Sequence, residues 1–80
     1  MFINKTADGR NNICGVNIAR LRKEIHISQR ELADRLQLEG LDIDKNAIQR
    51  IESGQRFLTD IELQYFCKIF HVSFDTLFQL

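Results

Sequence analysis

Lys45, Asn46, Gln49 and Arg50 carry the densest set of hydrogen-bonding groups in the chain, and their spacing puts all four on one side of a helix. Lys and Arg can reach the acceptor pair of guanine, and an Asn amide can pair bidentately with adenine. Between them, Ile48 and Ile51 mark the opposite, apolar side. A short helix divided in this way is suited to reading base edges, because the DNA major groove is wide enough for one helix.

No competing chemistry is assembled. His26 and His71 are isolated, with no metal-ligand spacing to each other or to Cys14 and Cys67. The cysteines form no CxxC pair and read as reduced thiols, Cys67 as a small core residue. No phosphate loop or nucleophile motif is present, and the Asp and Glu residues mostly occupy capping positions. The expectation is therefore no enzyme, no cofactor, no metal and no small-molecule substrate. No apolar run approaches membrane-spanning length and no signal peptide is evident, so no membrane partner is expected and a cytoplasmic location is. Eleven basic and eleven acidic residues balance. For phosphate contact that is unfavourable on average, although net charge says nothing of distribution.

Something must hold the 45–53 helix at a fixed angle, and the flanking segments supply it. With 80 residues and 44% hydrophobic content, the chain can build one core. Ile18, Leu21 and Ile25 recur on one face of a helix over Gly15 to Ile25. Ser28 followed by Glu31 predicts a capping box and a second helix from Gln29, with Leu32, Ala33 and Leu36 inward. Gln37 to Ile43 contains Gly40 and no capping Ser or Thr, and reads as a loop. Asp44 caps the third helix, Lys45 to Ser53, and Gly54 ends it. Thr59 and Glu62 form another capping box, opening a fourth helix that Lys68 and His71 suit at its negative end. Ser73 caps a last helix, Phe74 to Gln79. The fold class is all-α with five short helices. Met1 to Asn12 reads as a flexible arm whose Lys5 and Arg10 could touch phosphates, and residues 13–80 form the folded domain.

The run IARLRKEIHISQRELADRLQ, followed by NAIQRIESG, resembles the phage-repressor and Cro-type helix-turn-helix family. The matching signatures are S-Q-x-x-L-A and I-x-x-I-E-x-G, and the tail CKIFHVSFDTLF is similar to the A-x-x-L-x-V-x-x-x-x-L ending of those domains. The resemblance covers roughly residues 13 to 80 and implies a lambda-repressor-like fold that binds double-stranded DNA as a transcriptional regulator. By position it implies base contacts from Lys45, Asn46 and Arg50, with Gln49 nearer the rim. It implies phosphate contacts from Gln29, Ser53, Gln55 and Arg56, with Arg56 the best electrostatic contributor. Arg22 and Glu52 match a structural ion pair between the first and third helices.

One departure from the family pattern is the connection after the second helix. Gln37 to Ile43 is longer than the usual three or four residues, and Glu39, Asp42 and Asp44 bring negative charge near the DNA-facing end. The C-terminal third is strongly apolar. By family position Leu63, Phe66, Cys67 and Phe70 suit the core, and the surplus of Tyr65, Ile69, Phe74, Phe78 and Leu80 suggests a homodimer interface, hence a palindromic operator. The alternative is a protein-interaction module, or an antitoxin that binds a protein partner on the same fold.

Overall fold

The computed structural model describes residues 4–79. Every regular element among them is helical: α1 (Gly15–Glu24), α2 (Gln29–Glu39), α3 (Lys45–Ser53), α4 (Asp60–Phe70) and α5 (Phe74–Leu77). The start signals act as the sequence suggests in three cases. Ser28 Oγ accepts from Glu31 N at 3.0 Å, Asp44 Oδ1 from Ala47 N at 2.8 Å, and Thr59 Oγ1 from Glu62 N at 3.1 Å. Each fills an N–H that the helix itself leaves unpaired. Only the Thr59 cap is a complete box, because Glu62 also accepts from Thr59 N at 3.0 Å. At Ser28 the reciprocal half is missing, since Glu31 turns instead to Arg35 one helical turn on, at 2.7 Å. Ser73 occupies the N-cap of α5 without a side-chain cap bond.

Ile18, Leu32, Leu36, Ile48, Ile51, Phe66 and Leu77 are fully buried where the elements converge. Ile27 and Ile43, from the connections before α2 and before α3, join them. Leu63 and Phe66 lie in the core as expected, while Cys67 and Phe70 are half-buried against it. Ile25 was assigned to the core face, yet it is exposed. The reason is that α1 stops at Glu24 and His26 takes a left-handed φ of 60°, which breaks the helical register and turns Ile27 inward instead.

The segment read as a long loop, Gln37 to Ile43, is helical over its first three residues. Gln37, Leu38 and Glu39 are good helix formers and extend α2, which then ends at Gly40 in the left-handed region at φ 110°. The remaining connection is short and tied down: Gln37 Nε2 donates to Ile43 O at 2.8 Å, and Leu41 N to Leu36 O at 2.9 Å. The last helix is also shorter than expected, ending at Leu77.

α1 and α3 approach closely at one point. A Cβ on Gly15 would lie 2.1 Å from Ile51 O, so only glycine fits there. The expectation of a loose arm over residues 1–12 does not hold for Arg10–Asn12. Asn11 N donates to Gly54 O at 2.7 Å, and Asn12 Nδ2 donates to both Ile51 O and Arg56 O at 3.0 and 2.8 Å. Asparagine side chains are well suited to such links, because one amide carries two donors and an acceptor. Residues 1–3 of that arm lie outside the described residues.

Candidate nucleic-acid interface

α3 sorts its side chains sharply. Ala47, Ile48 and Ile51 are buried, and Lys45, Asn46, Gln49, Arg50 and Ser53 are exposed. At 100° per residue the exposed set fans over one side of the helix, with neither the 40–44 connection nor the C-terminal aromatics covering it. Lys45 and Arg50 have no ion-pair partner among the described residues. Arg30 was not singled out from the sequence. It is exposed on the second position of α2, also without an ion-pair partner among the described residues, and shares a shallow cleft with Asp34, Asp44, Lys45 and Asn46. Its signal was available as the residue beside Gln29 in the S-Q-R-E run.

Beneath this face lies one carboxylate with three donors. Arg22 Nε and Nη2 reach Glu52 Oε2 and Oε1 at 2.7 and 3.1 Å, and Gln29 Nε2 reaches Oε1 at 3.0 Å. Both charged side chains are nearly buried, at 12% and 10% exposure. The third arm of the Arg22 guanidinium donates to Ile27 O at 2.9 Å, in the turn between α1 and α2. One ion pair thus joins α1, the α1–α2 turn, the start of α2 and the end of α3. The Gln29 side chain is held half-buried by this link, at the N-terminal and therefore positive end of α2.

The segment after α3 differs from the expectation in its electrostatics. Ser53 and Gln55 are exposed, but Arg56 is chelated by Glu62, with Nη1–Oε1 at 3.1 Å and Nη2–Oε2 at 2.8 Å. The hydrogen bonds that Arg56 donates to Glu62 raise its pKa further. For Glu62, burial pushes the carboxyl upward, but the bonds from Arg56 and the Thr59 backbone outweigh it and leave it below the usual range. Arg56 is therefore a locally neutralised group, not the leading free cation of the interface. The C-terminal apolar residues also divide. Tyr65 and Ile69 are half-buried against the core, whereas Phe74 and Phe78 are exposed at 43% and 44%. Leu80 lies outside the described residues. Phe57 and Ile61 are exposed apolar residues that sequence reasoning missed.

Among the described residues, no cluster of His, Cys, Asp and Glu could hold a metal ion, and no helix is long and apolar enough to cross a membrane. Both cysteines are free, and burial pushes the Cys14 thiol up to about 11.

Two helices joined by a tight turn, with the next helix laid across them and open on its polar side, define a helix-turn-helix domain. A family model described as helix-turn-helix matches residues 18–77, and the chain belongs to that family, the DNA-binding regulators of phage-repressor and Cro type with a lambda-repressor-like fold. No curated protein and no solved structure matches the chain.

Proposed function

We propose that this protein is a transcriptional repressor that binds double-stranded DNA sequence-specifically, with α3 in the major groove. Lys45, Asn46 and Arg50 face base edges, and Gln49 lies at the rim. Gln29, Ser53 and Gln55 meet the phosphate backbone, with Arg56 beside them, its charge shared with Glu62. The observation that carries this reading is the exposed polar face of α3 set directly opposite three buried core anchors. The exposed Phe74 and Phe78, with Tyr65, Ile69 and Leu80, form the interface of a homodimer, which places two α3 helices about one DNA turn apart on a palindromic operator.

Binding-site selection with the purified protein tests the reading. An inverted repeat is the expected product, with affinity falling as salt rises, by a slope of about 0.9 per neutralised phosphate. The balanced net charge and the ion-paired Arg22 and Arg56 favour one other reading, a protein-interaction module on the same fold. Absence of DNA binding even at low salt selects that one. A monomer at micromolar concentration in analytical ultracentrifugation refutes the dimer.

A further inference from the structure

The end of α3 is held from outside the matched segment 18–77, by three consecutive residues that precede it. A helix leaves its last carbonyls without partners inside the helix. In α3, Glu52 O accepts from Arg10 Nη2 at 2.8 Å, and Ile51 O from Asn12 Nδ2 at 3.0 Å. The bonds continue past the helix: Asn11 N to Gly54 O at 2.7 Å, Asn11 Nδ2 to Gln55 O at 2.8 Å, and Asn12 Nδ2 to Arg56 O at 2.8 Å. The guanidinium of Arg10 sits at the negative end of the helix dipole, where a cation is favoured. Its stem lies against Gly54, where a Cβ would come within 2.9 Å of Arg10 Cγ. At the other side of the strap, Asn12 Oδ1 accepts from Gly15 N at 2.8 Å and so fixes the start of α1 to the same point.

We propose that Arg10, Asn11 and Asn12 are positioning residues for DNA binding: they set the height and angle of Ser53–Arg56 relative to α3 without touching DNA. The inference rests on the reading of that segment as phosphate-facing. Two details separate it from a strap that serves folding alone. Arg10 Nε and Asn11 Oδ1 are buried with no hydrogen-bond partner among the described residues, which a strap arranged for stability alone would avoid. Moreover, the side-chain hydrogen bonds that Arg10, Asn11 and Asn12 donate all go to the backbone of the α3 terminus or of the segment beyond it, the elements the DNA reading uses.

The experiment uses the full chain and the DNA duplex recovered by site selection, with fluorescence anisotropy across a salt series and thermal melting of each variant. Asn11→Ala removes one tether to Gln55 and also the orphaned acceptor, so its melting temperature should stay close to wild type while affinity falls about three- to tenfold. Arg10→Ala should bind about tenfold more weakly with the salt slope unchanged, and Arg10→Lys, which can still donate to Glu52 O, should recover most of the loss. Wild-type affinity in both alanine variants overturns the proposal. So does a loss that disappears after correction for the unfolded fraction. A slope reduced by about 0.9 in Arg10→Ala also overturns it, because Arg10 would then be a phosphate ligand. If Arg10→Ala does not fold, Asn11→Ala decides alone. A wild-type chain that selects no DNA removes the underlying reading, whereas wild-type binding with indifferent variants removes only the strap.

Discussion

Replacing Glu52 with Ala should weaken folding before it weakens recognition. The carboxylate accepts two bonds from Arg22 and one from Gln29, and both ionic partners are nearly buried. Removing it leaves the Arg22 guanidinium with a single bond, to Ile27 O, in a place that water reaches poorly. Breaking one side of a buried pair costs about 3–5 kcal/mol, and the residual exposure of Arg22 argues for the lower end, about 3 kcal/mol. A domain of this size typically loses about 4–8 °C of melting temperature per kcal/mol, so a drop of about 12–24 °C is expected by circular dichroism. The pair itself adds little net stability relative to apolar side chains of similar volume. Glu52→Leu combined with Arg22→Met should therefore melt higher than Glu52→Ala alone. DNA affinity, measured at low temperature and scaled to the folded fraction, should fall much less than stability. A melting temperature within about 2 °C of wild type would refute the reasoning, because it would mean that the guanidinium finds water or another acceptor at no cost.

Asn46→Ala should cost about 1–3 kcal/mol of discrimination at one base pair of the selected site, seen as relaxed preference there with others unchanged. Gly15→Ala should lower the urea midpoint by an amount equivalent to at least about 1–3 kcal/mol, since its Cβ would meet the unyielding carbonyl of Ile51. The buried Cys14 thiol stays protonated in the folded state up to about pH 11 but ionises near 9 when unfolded, so folding binds the extra proton. Its contribution is intact below pH 9 and is lost as pH rises from 9 to 11, by about 1–2 kcal/mol. Cys14→Ala should flatten that part of the stability-versus-pH curve.

The helices were legible because their start signals are local: Ser28, Asp44 and Thr59 each bond within three residues. Local signals also explain the errors. Gly40 marked a break correctly, but the lack of a cap before it was read as loop when it meant only that α2 had not yet ended. The apolar spacing that includes Ile25 continues one step past the point where the backbone leaves the helix. Glu62 was read as half of a capping box, which it is, yet the same carboxylate binds Arg56 six residues earlier, and no periodicity announces that pairing. The Arg10–Asn12 strap was least visible of all. An Asn-rich stretch looks like loop in sequence, and its bonds span about forty residues to backbone carbonyls, which carry no residue identity.

The balanced net charge is resolved by where the fold places its ions. Arg20, Arg22, Arg35 and Arg56 are paired with Glu24, Glu52, Glu31 and Glu62, which removes four cations from the field of the surface. Around the exposed side of α3, the cations left without ionic partners among the described residues are Arg30, Lys45 and Arg50, and Asp34 and Asp44 line the same cleft as Arg30 and Lys45. Such a face has only a weak general attraction for phosphate, so long-range steering contributes little to its association with DNA. Affinity must then come from short-range hydrogen bonds, and these depend steeply on distance and angle. The buried Arg22–Glu52–Gln29 link contributes no free charge to that face; it ties α3 to α1 and to the start of α2, and so supports recognition through the stability of the fold.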